Sequence, residues 1–262
     1  MTIEAGDRRL INFEIYGGNT GESVLLIHGL GADLSSWKLQ VEKLTSEGYR
    51  LICPDMYGHG KSGALTKAEL GEWNDQLLNI LNHLKLDRVH ICGVSMGGVI
   101  ALNMASENPE RLLSITVSDS FCELRTPSEK ILGASQILGF RIFKLLGRRV
   151  FASAMAAAYK QEFAREAREY MYRMSLAADF DQLLTARKAI NKVNLLDRLR
   201  KLNLPALVVV GNCFGKSFVD SNRKIADALP GCGFAVLENA MDPSPMTNAE
   251  AFNSRLLAFL KS

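Results

Sequence analysis

Apolar and polar positions along the 262-residue chain follow two periods. Short runs rich in β-branched and aliphatic residues recur at SVLLIHG, YRLICPD, RVHICGVS, LLSITVSD, PALVVVG and GFAVLEN. Most of the intervals between them carry the i, i+3, i+4 spacing of amphipathic helices. Strands alternating with helices predict an α/β fold built on a doubly wound, mostly parallel sheet. Ahead of these runs, TIEAGD and RRLINFEIYGG predict a tightly joined antiparallel hairpin at one sheet edge, ending at Gly17 and Gly18. From Phe121 to Leu204 no convincing strand appears, only helical stretches such as EKILGASQILGFRIFKLLG and FASAMAAAYKQEFAREAREYMYRM. The pattern therefore predicts a core over residues 1–120, an inserted helical cap over 121–204 and the rest of the core over 205–262. Within the cap, Ile137, Leu138, Phe140, Phe143, Phe151, Met155 and Tyr159 read as packing faces.

Composition narrows the class. A hydrophobic content of 47% supports one substantial globular domain. The N-terminal MTIEAGDRR has no apolar signal region and no window approaches the roughly 18 apolar residues of a membrane span, so the expected setting is cytoplasmic. Five scattered cysteines form no C-x-x-C pair, which argues against a disulfide scaffold and a structural zinc site. No cofactor or metal is expected. The net charge of +3 hides an asymmetry: residues 121–204 carry 16 Lys or Arg against 8 Asp or Glu, a balance of +8. That excess would draw an anionic small-molecule substrate or ligand towards the cap, while a solvated helical face is the simpler account of the same charges. No nucleic-acid-binding motif is present.

Chemistry is concentrated at GVSMGG, residues 93–98, where the apolar run VHIC meets the helical run VIALNMASEN. A G-x-S-x-G at a strand-to-helix corner forces a sharp turn that lifts the serine hydroxyl above the sheet, making Ser95 a candidate nucleophile. HGLGAD at 28–33 and DMYGHGKS at 55–62 precede it in order. Together the three motifs resemble the α/β-hydrolase fold, over nearly the whole chain. That resemblance implies an oxyanion hole made by the backbone N–H groups of Leu30 and Met96.

It also implies a histidine and an acid that this sequence lacks. The positions where the family carries VVGxxD and NAGHxP read VVVGNCFG and ENAMDPSP, placing Phe214 at the acid and Asp242 at the histidine, and no histidine follows His90. His83 and His90 read as surface or structural residues, and His28 and His59 as loop architecture. The remaining candidates are Asp242 and Asp119, the latter at the end of ITVSD, where some members of the fold keep their acid. An ordinary carboxylate, with a pKa of about 3.9, is a feeble base, but burial and a like charge nearby raise it. A hydrogen-bonded strand end for Asp119 and a turn or helix cap for Asp242 are the plain structural alternatives. Two functions stay open: hydrolysis of a small ester, lactone or thioester through Ser95, or a ligand-binding or non-hydrolytic protein using the same pocket.

Overall fold

The computed structural model describes residues Met1–Ser262. Every predicted strand forms: β1 (Thr2–Glu4), β2 (Leu10–Tyr16), β3 (Ser23–Ile27), β4 (Arg50–Pro54), β5 (Val89–Val94), β6 (Leu112–Ser118), β7 (Ala206–Gly211) and β8 (Gly233–Leu237). They make one sheet in the order β1-β2-β4-β3-β5-β6-β7-β8. The opening hairpin is antiparallel and β2 joins β4 antiparallel, while every pairing from β4 to β8 is parallel.

The central strands are buried on both faces, and their residues divide by the period of two. Leu25 and Ile27 of β3 join one hydrophobic cluster with Ile52, Ile91 and Val208. Val24 and Leu26 join another with Leu51, Cys53, Cys92 and Val209. On the first face lie α2 (Gly71–His83), α3 (Met96–Glu107) and, further along the chain, the helix Lys216–Ala228. The second face is covered by α1 (Lys38–Ser46) and the C-terminal helix Ala249–Leu260. Truncating a fully buried side chain such as Leu26 to Ala would cost about 2–5 kcal/mol, because it leaves a cavity as well as losing transfer free energy.

Between β6 and β7 the chain forms α4 (Pro127–Leu146), α5 (Arg148–Ala157), α6 (Arg165–Leu176), α7 (Phe180–Ile190) and the single turn α8 (Leu196–Leu199). A capping box sets the start of α4: the Thr126 hydroxyl accepts from Glu129 N–H and the Glu129 carboxylate accepts from Thr126 N–H. Where this segment leaves and rejoins the core, Glu123 and Asn194 pair as an antiparallel bridge, and Leu195 N–H donates to Cys122 C=O at 3.0 Å. The buried Glu123 carboxylate also pairs with Lys224. After α9, the helix at Lys216–Ala228 already described, come α10 (Ser244–Thr247) and α11 (Ala249–Leu260). No helix is long and apolar enough to cross a membrane.

Candidate active site

Ser95 stands at the corner between β5 and α3 with φ 55° and ψ −116°, a backbone conformation that costs a non-glycine residue about 1–3 kcal/mol and persists only where the surroundings enforce it. Here they do. Ser95 N–H donates to Ser118 C=O at 2.9 Å, and the Ser120 hydroxyl donates to Ser95 C=O at 2.8 Å. Close backbone approach explains the glycines: a Cβ on Gly93 would stand 2.1 Å from Gly97 O, and one on Gly97 would stand 2.1 Å from Ile27 O. Packed this way, the corner leaves the half-buried Ser95 side chain facing a cavity.

The backbone N–H groups of Leu30 and Met96 donate to no protein acceptor. Leu30 borders the cavity, and Met96 is the first residue of α3, with its side chain in the core. The loop carrying Leu30 is held from below: His28 Nδ1 donates to Gly29 C=O at 2.8 Å, and its Nε2 accepts from Met56 N–H at 2.9 Å. Asp55 ties the same loop to its neighbour, accepting from Leu34 N–H at 2.9 Å and Lys61 N–H at 2.8 Å. His28 is thereby fixed as a neutral tautomer, and burial lowers its pKa. His59, whose ring lies 5.2 Å from that of His28, is pushed down to about 3 by burial and by His28. His83 closes α2 and His90 lies in β5 against Ser114. No histidine lines the cavity.

Asp242 does. Its carboxylate shares the cavity wall with Ser95 and is near enough for the Ser95 hydroxyl to act on it. Burial and then the Asp119 charge raise its pKa well above the carboxylate range, while the Ser95 hydroxyl opposes that rise. Asp242 caps nothing, since α10 begins at Ser244 with Pro243 as its N-cap residue and no side-chain capping bond. Its backbone C=O accepts from the Tyr159 hydroxyl at 2.9 Å, tying the loop to the segment between β6 and β7.

Asp119 is both a strand end and a neighbour of Asp242. Held at φ 51° just beyond β6, it accepts from Gly211 N–H at 2.9 Å, Ser244 N–H at 2.7 Å, the Ser244 hydroxyl at 2.9 Å and the Ser118 hydroxyl at 2.9 Å. Burial raises its pKa and these four donors offset part of the rise. Four donors match the acceptor capacity of one carboxylate, so Asp119 is the member of the pair built to be ionised and Asp242 the member that keeps the proton longer.

Phe214, which the motif match places at the family's acid position, does not enter the cavity. It is 45% exposed and packs edge-on to Phe218 with ring centroids 5.4 Å apart, because a short 3-10 turn after β7 directs it outwards.

The cavity encloses about 440 Å³, near the lower end of the roughly 300–1,000 Å³ typical of small-molecule sites. Phe140, Phe143, Phe151, Met155 and Tyr159, read from the sequence as packing faces, form much of its apolar wall. Sequence reasoning missed Ser244, which holds Asp119, and Arg187, the one cationic side chain in the wall. The first carries no motif. A signal for the second was present: Arg187 lies four residues after Leu183 and three before Ile190, on the apolar stripe of α7. No group of three His, Cys, Asp or Glu side chains is arranged to hold a metal ion.

The sequence family described as alpha/beta hydrolase fold matches residues 22–194. A dihydrolipoyllysine-residue acetyltransferase component of an acetoin cleaving system from Pseudomonas putida is 39% identical over 115 residues, 44% of this chain, which spans only 30% of that relative. The 3-oxoadipate enol-lactonase 1 of Acinetobacter baylyi is 24% identical over 97% of this chain and 94% of its own. Among solved structures, a thermophilic esterase from Thermogutta terrifontis superposes with a TM-score of 0.85 at 26% identity, covering 100% of this chain and 98% of its own.

Proposed function

The chain belongs to the alpha/beta hydrolase fold family, and from that premise we propose that it hydrolyses small esters, lactones or thioesters through Ser95, with Asp242 standing in for the missing histidine. The observation that carries this reading is the Asp242 carboxylate sharing the wall of one cavity with the Ser95 hydroxyl. In this scheme Ser95 Oγ attacks the carbonyl carbon, Asp242 accepts the serine proton, and the free N–H groups of Leu30 and Met96 receive the developing oxyanion. Asp242 then returns the proton to the departing alkoxide or thiolate, and takes one from the water that attacks the acyl-enzyme. A pKa raised towards neutrality suits this exchange, because a base works best when its pKa lies near the operating pH. The scheme does not need a short Ser95–Asp242 bond in the free protein, since such bonds tighten when substrate binds. Asp119 positions the Asp242 loop through Ser244 and sets its proton affinity. The enol-lactonase and esterase resemblances point to the same bond class.

The raised pKa of Asp242 also favours a second reading, in which a protonated Asp242 and Ser95 bind a ligand without covalent chemistry. A fluorophosphonate probe separates the two, because it labels only an activated serine. Labelling at Ser95, with aryl-ester turnover that Ser95→Ala abolishes, is the expected result. No Ser95-dependent labelling or turnover anywhere between about pH 5 and about pH 9 would leave the binding reading standing.

A further inference from the structure

Arg187 is a buried cation without a protein partner. Its residue is 7% exposed, its Nε is buried without any hydrogen-bond partner, and no carboxylate forms an ion pair with it, although surface cations such as Lys144 and Lys216 do find partners. The ring of Phe121 lies 5.6 Å from the guanidinium carbon. Burial alone pulls the guanidinium down to about 10, with no acceptor opposing the shift. Asp242, the one carboxylate lining the same cavity, is influenced by Asp119 and Ser95 and not by Arg187.

A buried cation without a partner costs several kcal/mol, and proteins keep such groups where a ligand completes them. We propose that Arg187 is the carboxylate-binding group of this cavity, so that the preferred substrates are small esters or lactones that carry a free carboxylate at a distance from the scissile bond. This specificity rests on the reading of Ser95 as the nucleophile, but the binding site does not. The fork of guanidinium N–H donors matches the two oxygens of a carboxylate. A single such fork, in a wall whose bulkiest side chains are Phe, Met and Tyr, pairs in plane with one carboxylate group and offers no second cation to a phosphate. The surrounding apolar surface accounts for the rest of such a ligand's chain.

Calorimetric titration with glutarate, with its neutral analogue glutaramide and with inorganic phosphate tests the site without turnover. The wild-type protein is expected to bind glutarate about 10- to 100-fold more tightly than glutaramide, the range for a charge-assisted hydrogen-bonded pair. Arg187→Met, which replaces an unpartnered buried charge with an apolar chain of similar length and so keeps the fold, should remove that preference. Arg187→Lys, which keeps the charge but loses the fork, should retain only part of it. In kinetics, the ratio of kcat/KM for 4-nitrophenyl hydrogen glutarate to that for its methyl-capped analogue should fall by about 10- to 100-fold in Arg187→Met. A wild-type protein that binds glutarate no better than glutaramide, a preference that survives Arg187→Met, or tighter binding of phosphate than of glutarate overturns the assignment. Glutarate preference without turnover of either ester keeps Arg187 and refutes the acyl-transfer reading. Turnover of both esters without any carboxylate preference does the reverse.

Discussion

The loops after β3 and β5 and the loop after β8 face one cavity, while the loop after β7 turns away from it, and different means hold the two pairs. The first pair presents backbone: the Leu30 and Met96 N–H groups, fixed by a corner where Gly93 and Gly97 admit no side chain and by the buried His28 and Asp55. The second pair presents side chains, and there the residues differ from the family pattern, with Asp242 at the histidine position and an outward-facing Phe214 at the acid position. Backbone-built features are defended by packing that every neighbouring residue shares. A side-chain feature rests on one or two residues, and another group such as Asp119 can take over part of its role.

Three experiments press on that difference, beginning with the largest effect. Ser95→Ala leaves both loop pairs intact and is expected to lower ester turnover by about 10³-fold or more, since members of a catalytic set act as a unit. Residual rate equal to the parent's in a kcat/KM measurement would move the chemistry away from the elbow. Next, Asp242→His alone should raise kcat/KM by about 10²-fold, within the usual range for a well-placed general base, because Asp119 already waits behind it and the Ser244 hydroxyl can rotate to yield an acceptor site. Phe214→Asp, alone or added to that variant, should change the rate less than about twofold, as its side chain points to solvent. A strong requirement for Phe214→Asp would show that Asp119 cannot orient an imidazole.

The smallest effect is on pH dependence and stability. Ester turnover should fall as pH drops through the raised apparent pKa of the carboxylate pair, above the ordinary value of about 3.9, because the base must be ionised. Stability runs in the opposite direction. A carboxyl group whose folded pKa is raised contributes stability that is fully present below its unfolded pKa and is lost as pH rises through the folded value. Thermal melts of the parent should therefore decline across that window, whereas Asp242→Asn should melt a few degrees higher above it and show a flatter profile. Identical melting curves across pH would mean that Asp242 ionises freely.

The division between legible and illegible follows the same line. All eight strands, the opening hairpin and the helical stretch between β6 and β7 could be read because they rest on periodicity in many residues. Ser95 was legible because a backbone corner demands glycines at set positions. The outward turn of Phe214 was not, since position in a motif does not reveal which way a short 3-10 turn aims its side chain. Nor was the fourfold hold on Asp119, two of whose donors come from Ser244, 125 residues away. Arg187 lay in between: a charge on the apolar stripe of α7 was visible, but alternating charges in the same segment made it look like solvated surface.

The bridge between Glu123 and Asn194 has a consequence for how such a protein changes over generations. The strands that run out to the cavity wall and back lie side by side there, joined by backbone pairing and anchored by Lys224. Phe140, Phe143, Phe151, Met155 and Tyr159 of the apolar wall all lie beyond that narrow stem, so insertions, deletions or wholesale exchange there alter what the cavity admits while the sheet keeps its register. A different cavity can be explored by rewriting one excursion of the chain, with the glycine-bounded corner at Ser95 inherited unchanged.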